Sequence, residues 1–265
     1  MSWRTVVIDS RAKLTYKNGY LIVRSDEVHM IHLSEINTIL ISSTAVAITS
    51  YLVNELLSRK IKIVFCDEKR NPVGEVMSYY GCHNSSKRIC QQINWDYDYA
   101  KEVWTAIIKE KIRNQAKLLE NYEEDGSKKL YKYVDQIRLF DSTNREGHAA
   151  KVYFDDLFGV DFTRTSKSDI NASLNYGYSI LLSQFNKELV LNGYLTQLGI
   201  KHCNEFNPFN LSSDLMEPFR PLVDKIVREN CDEVFDGSMR LKLLDVLNHK
   251  VRIKNSNQYV SNAIS

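Results

Sequence analysis

Three stretches of the chain carry side chains whose types and spacing could do chemistry together. In the first, His202 precedes two acids, Asp214 and Glu217, set three residues apart, with Pro218, Arg220 and Pro221 immediately after. In a helical turn that spacing puts both carboxylates on one face, and the prolines restrict the backbone that carries Glu217. One neutral imidazole with two or three carboxylates is a mixed nitrogen and oxygen set suited to Mn2+ or Mg2+. Acids complementing a helix dipole would explain Asp214 and Glu217 equally well, but would leave His202 unexplained. The second stretch, "NREGHAAKVYF", places Glu146 beside Gly147 and Ala149-Ala150. Small residues there would let another helix approach and hold the acid in a crevice; a surface Glu at a helix start is the plainer alternative. In the third, "DINASLNYGYSILL", Asn171 and Asn175 share a helix face with Tyr178 nearby. Amides on an apolar helix are costly unless paired. They therefore form an internal network, orient metal ligands or contact a phosphate.

Other chemistries lack their residues. There is no GxxxxGK[ST] phosphate loop, no GxSxG elbow and no GxGxxG after a strand, which sets aside an NTPase, a serine hydrolase and a dinucleotide enzyme. Cys82, His83 and Cys90 match no zinc-finger spacing and lack a fourth ligand. Asp155-Asp156 reads as a solvated pair at a helix end. The 35 basic and 33 acidic residues leave a net charge of only +2, so a nucleic-acid role needs local basic patches. Five cysteines, no CxxC pair and no secretory leader point to reduced thiols in a cytoplasmic protein. No apolar run approaches the roughly 18 residues of a membrane span.

The elements that must position these residues change character along the chain. The first part reads as strands: "TVVIDS", two alternating segments around Asn18-Gly19, "VHMIHL", "INTILIS", "IKIVFCDE" and an edge strand in "RNPVGEVM". Asn-Gly between alternating apolar runs is a hairpin signal, because both turn positions tolerate positive φ. "AVAITSYLVNELLSRK" has helical spacing. Beyond "YGCHNSSKR" the spacing turns helical almost to the end, with long helical stretches over 96–122 and 168–193, the second capped by Ser168 and stopped at Gly193. The expectation is an α+β chain with a β-rich domain over 1–80, a linker over 81–95 and a larger all-helical domain over 96–265. A 265-residue chain that is 43% hydrophobic can bury the cores this needs.

Taken in order, "IVFCDEKRNPVG", "REGHAAKVYF", "DINASLNYGYSILL" and "LGIKHCNEFNPFNLSSDLMEPFRPLVD" resemble the CRISPR adaptation integrase family, the first-numbered CRISPR-associated protein, in its type II-like form. The resemblance implies a β-rich N-terminal domain that mediates homodimerisation and a helical catalytic domain. It implies that Glu146, His202 and Glu217 bind a divalent metal, Mg2+ or Mn2+, and carry catalysis, with Glu217 where many relatives have Asp. Asp214 falls on an accessory acid near the site, with Asn171, Asn175 and Tyr178 beside it. The implied reaction inserts short foreign DNA duplexes into the CRISPR array, a 3′-hydroxyl attacking a phosphodiester at a repeat edge. The implied partners are double-stranded DNA, a second copy of the chain and a bridging dimer of the small second-numbered CRISPR-associated protein. Type II systems add a ring-shaped DNA-binding protein and the effector nuclease; no membrane is involved. Similar proteins continue past "QYVSNAIS" with a basic segment. Lys87, Arg88, Lys109, Lys111, Arg113, Lys117 and Arg220 are the candidates for DNA-backbone contact, the plainer view of the helical set being a mixed solvated face. A repair nuclease acting on branched DNA would use the same residues; a non-catalytic DNA-binding scaffold is the third reading, and intact Glu146, His202 and Glu217 argue against it.

Overall fold

A computed structural model describes residues 4–78, 81–253 and 255–265; Tyr80, where the first domain was expected to end, lies outside them. The chain forms two compact units, the first holding the described residues up to His83 together with those of Lys250–Ala263, the second Asn84–His249 with Ile264–Ser265. In the first, strands β1 (Arg4–Ile8), β2 (Ala12–Lys17), β3 (Tyr20–Arg24), β4 (Val28–His32), β5 (Ile36–Ile41) and β6 (Val46–Ile48) precede helix α1 (Ser50–Ser58) and strands β7 (Lys62–Cys66) and β8 (Pro72–Val76). One sheet has the order β1-β5-β7-β8, the other β4-β3-β2-β6. Asn18 and Gly19 have φ of 49° and 86°, and Lys17 pairs with Tyr20, the tight two-residue hairpin that the Asn-Gly pair favours. Leu14, Leu21, Ile36, Leu52, Leu56 and Ile63 are fully buried at the centre of this unit.

The helical spacing expected from Ala45 onward begins later than its apolar pattern suggests. The β-branched Val46 and Ile48 extend β2's sheet in parallel, with Val46 opposite Ala12 and Ile48 opposite Leu14. Thr49 then caps α1 by accepting from Leu52 N at 3.4 Å.

The second unit contains α2 (Ser85–Ile93), α3 (Tyr97–Glu120), α4 (Gly126–Gln136), α5 (Arg145–Phe158), α6 (Asp169–Leu191), α7 (Asn210–Met216), α8 (Arg220–Glu229) and α9 (Gly237–Leu244). Helix α2 occupies most of the expected linker. Its polar composition hides an anchor: buried Gln92 donates to the carbonyls of Leu195 and Leu198 at 2.8 and 3.0 Å and accepts from Leu195 N at 2.8 Å. Ser168 caps α6 by accepting from Asn171 N at 3.2 Å, and Gly193 ends it with φ of 77°. Gly177, in the middle of α6, lets α8 come close: a Cβ there would lie 2.3 Å from Val223 Cγ1. Asp156 is not a solvated acid, since its Oδ2 accepts from Gly126 N at 2.9 Å and anchors the start of α4. The end of the chain also departs from an all-helical region. Strands β9 (Lys250–Ile253) and β10 (Ser256–Tyr259) form an antiparallel hairpin before a short α10 (Val260–Ile264). Val251 and Ile253 alternate with Lys250 and Arg252, a period of two that suits a strand.

Candidate active site

Glu146 stands in the first turn of α5, and the chain reaches it through a contorted loop. Phe140, Asp141 and Asn144 all have left-handed backbone, with φ of 61°, 49° and 51°. Asp141 secures the turn: its Oδ1 accepts from Arg145 N at 2.8 Å and its Oδ2 from Glu146 N at 2.9 Å. Glu217 begins a 3-10 turn, Glu217–Phe219, between α7 and α8, and is buried. Pro218 follows it, and the Pro218 carbonyl accepts from Asn114 Nδ2 of α3 at 2.9 Å.

The two carboxylates meet on one cation. Lys111 Nζ of α3 lies 2.6 Å from Glu146 Oε1 and 2.5 Å from Glu217 Oε2. Glu217 Oε1 also accepts from Arg220 Nε at 2.9 Å, and the Arg220 guanidinium lies 4.5 Å over the Tyr178 ring. Burial pushes the Glu217 carboxyl up, but Lys111 and Arg220 outweigh it and hold the group below the usual carboxylate range. Burial likewise disfavours the Lys111 ammonium, and Glu217 and Glu146 reverse that, raising it above an ordinary lysine.

His202 lies in the irregular segment before α7, and Asp214 of that helix shapes the segment. Fully buried, Asp214 accepts from the backbone nitrogens of Ile200 (2.5 Å), Lys201 (3.0 Å) and His202 (3.2 Å) and from His202 Nδ1 at 2.5 Å. Gly199 is required here, because a Cβ would lie 2.3 Å from the His202 carbonyl and 2.8 Å from Asp214 Oδ2. Trp104 meets the His202 ring edge to face at 5.8 Å. The hydrogen bond to Asp214, chiefly, with the charges of Glu217 and Glu146 adding, holds the imidazole above the ordinary histidine value.

Among the described residues no three His, Cys, Asp or Glu side chains are already gathered around a common ion position. The donor chemistry nevertheless suits a hard divalent cation. Two carboxylate oxygens already converge on one positive charge, and a His whose Nδ1 is held by a carboxylate keeps Nε2 for a ligand, the arrangement that orients metal-binding histidines. With four donors on its two oxygens, Asp214 is engaged as the organiser of the His202 loop rather than as a ligand.

The other residues singled out by sequence divide. The side-chain oxygens of Asn171 and Asn175 accept from Arg164 at 2.5 and 2.8 Å, and Asn171 Nδ2 donates to the carbonyls of Thr163 and Ser166. They form an internal network around Arg164, whose guanidinium lies 5.4 Å over the Tyr178 ring. Among the cations, Lys111 and Arg220 are committed to the acids rather than free for phosphate. Arg88 donates to the Asn192 carbonyl at 2.9 Å and lies over Tyr194. Arg113 pairs with Glu110 at 3.4 Å, Lys109 is half-buried, and Lys87 and Lys117 are exposed.

Sequence reasoning missed Arg164, Asp141 and Asp224. Asp224 carried a signal, since it falls one helical turn past Arg220 on a helix with an apolar face. It is buried and accepts from Tyr153 OH at 2.7 Å and from Tyr178 OH. Burial dominates there, against the two tyrosine hydrogen bonds and the charges of Arg220 and Arg164, and pushes the carboxyl from 3.8 up to about 6. The folded state therefore binds the extra proton between those values, and stability falls as pH rises through that window. A shift of this size is worth about 3 kcal/mol. Urea unfolding between pH 4 and 6.5 should show that decline in the wild type and its loss in Asp224→Asn; parallel pH profiles would contradict it.

A family profile described as "CRISPR associated protein Cas1" matches residues 5–233. The chain is 35% identical over 229 residues to the CRISPR-associated endonuclease Cas1 of Neisseria meningitidis serogroup C (strain 8013), covering 86% of this chain and 75% of that one. Its fold is similar to that of a casposase bound to integration product, with a TM-score of 0.75 and 17% identity over 100% of this chain and 88% of that one. It is also similar to part of a chain from a Cas6-RT-Cas1–Cas2 complex, with a TM-score of 0.67 and 20% identity, over 98% of this chain and 33% of the larger one.

Proposed function

The chain belongs to the Cas1 family of CRISPR-associated proteins, and from that premise we propose that it is a metal-dependent DNA integrase and endonuclease of CRISPR adaptation. The observation that carries the reading is the convergence of Glu146 and Glu217 on a single cation beside a histidine oriented by Asp214. Glu146, Glu217 and Nε2 of His202 would hold Mg2+ or Mn2+. When bound, such an ion supplies Lewis acidity at a phosphoryl oxygen and lowers the pKa of a hydroxyl nucleophile.

The chain's own groups do the rest. Asp214 fixes the His202 ring and leaves its second nitrogen for the ligand role. Arg220, held by Glu217 and stacked on Tyr178, keeps the Glu217 carboxylate in one orientation. A 3′-hydroxyl of a short DNA duplex attacks a phosphodiester at a repeat edge; one P–O bond forms as another breaks, and the displaced 3′-oxygen takes up a proton. The exchange conserves phosphodiester bonds, so no nucleotide cofactor is needed. Water in place of the hydroxyl gives strand cleavage at the same site, in keeping with a relative named as an endonuclease. The exposed Lys87, Arg113 and Lys117 serve the DNA backbone, making binding strongly salt-dependent. The fold shared with a casposase bound to integration product supports duplex DNA as partner, and the fold shared with part of a Cas1–Cas2 assembly supports a bridging Cas2 partner. The β-rich unit is assigned to homodimerisation.

The test is strand transfer on a branched DNA that mimics a half-integrated product, in Mn2+ and in Mg2+, with His202→Ala beside the wild type. The reverse reaction passes through the same transition state and needs no second protein. Metal-dependent religation, lost in the variant, is the expected result. Hydrolysis without religation would favour a repair nuclease, and binding without any reaction would favour a scaffold.

A further inference from the structure

We infer that Lys111 is a built-in counter-ion of the metal-free site, which a divalent cation displaces when it binds. The inference rests on the metal-dependent reading above and concerns how this chain keeps two acids together before the ion arrives. Glu217 is only 5% exposed at its side chain and Glu146 31%, so two like charges face each other with little water to screen them. The Lys111 ammonium, itself 12% exposed, touches one oxygen of each. An ion held between the two acids would lie close to that ammonium, and two cations so near each other repel strongly where little water screens them.

Glu146 and Glu217 are matched by Lys111 and Arg220, which leaves Asp214, behind the His202 ring, as the one carboxylate of the site not paired with a lysine or arginine in these contacts. Withdrawal of one base would leave the acids free for the dication, and the structure distinguishes the two. Arg220 is fixed by a directed bond to Glu217 Oε1 and by the Tyr178 ring. Lys111 reaches Glu217 Oε2 at 2.5 Å and Glu146 Oε1 at 2.6 Å from the end of a flexible stem, so both contacts depend on one mobile ammonium. A lysine ammonium is a compact charge on a flexible four-carbon stem, and it changes partners more readily than a planar guanidinium held against an aromatic ring. The half-exposed Glu146 side is the one through which it can withdraw.

Three measurements on the full chain test this. Calorimetric titration with Mn2+ should give at least a tenfold tighter site in Lys111→Met than in the wild type. Thermal unfolding of Lys111→Met without metal should come at lower temperature, with Mn2+ restoring more stability to the variant than to the wild type. Should that variant fail to fold, the wild type still answers: acylation of Lys111 by an amine-reactive reagent, read by mass spectrometry, should rise several-fold when Mn2+ is added. Equal or weaker Mn2+ binding by the variant, or a Lys111 equally protected with Mn2+ bound, overturns the displacement. Absence of Mn2+ binding to both proteins overturns the metal reading itself, and the inference falls with it.

Discussion

Glu217→Gln is expected to reduce metal-dependent strand transfer by about a thousandfold or more. The substitution preserves shape, so the loss comes from charge. A neutral amide oxygen is a weak ligand for Mg2+ or Mn2+, and losing several kcal/mol of Lewis-acid stabilisation costs three or more factors of ten in rate. The same change should weaken the fold. Glu217 is buried between Lys111 and Arg220, and Gln leaves each base facing an amide where it had a carboxylate. Breaking a buried ion pair from one side costs about 3 to 5 kcal/mol. Single-turnover strand transfer and urea unfolding on the same preparation separate the two effects. A folded variant that loses less than tenfold in rate would remove Glu217 from the ligand set.

Asp214→Asn is expected to be the most damaging change among residues that touch no substrate. The Asp214 oxygens accept four hydrogen bonds, two on each oxygen. Whichever way an amide is turned, its NH2 group meets two donors, leaving buried N–H groups unpaired at about 1 to 3 kcal/mol each. The His202 loop should therefore loosen, and the ring should lose the partner that selects its tautomer. Loss of such a partner costs about 10- to 100-fold in metal affinity or activity. The check is a Mn2+ titration together with backbone amide exchange of Ile200, Lys201 and His202. Faster exchange at those three positions with weaker Mn2+ binding is the expected pattern. Unchanged exchange would mean that Asp214 does not organise the loop.

Features set by neighbouring residues were legible in the sequence. The Asn18-Gly19 turn needs only the local tolerance of positive φ, and the limits of α6 follow from a Ser cap and a Gly stop. What distant contacts decide was not. Helix α2 looks like a linker until Gln92 is seen to bond the Leu195–Leu198 segment, more than a hundred residues away. The split of the 45–60 segment into β6 and α1 depends on pairing with β2. In the site, Lys109, Lys111, Arg113 and Lys117 look alike on paper, since charge on a helix does not say which residue faces inward. Only packing against α5 and the Glu217 turn makes Lys111 an interior base while Lys117 remains exposed. Asp214 and Glu217 are likewise equivalent by spacing. Their roles separate because one carboxylate meets the backbone nitrogens of the His202 loop and the other meets Lys111 and Arg220.

The most direct test of the account is a crystal of the protein grown with Mn2+, with diffraction recorded at the manganese absorption edge. One anomalous peak bonded to Glu146, Glu217 and Nε2 of His202, with the Lys111 amine withdrawn from both acids, is the expected result. A site free of manganese at saturating concentration, with Lys111 still bridging the two carboxylates, would contradict it.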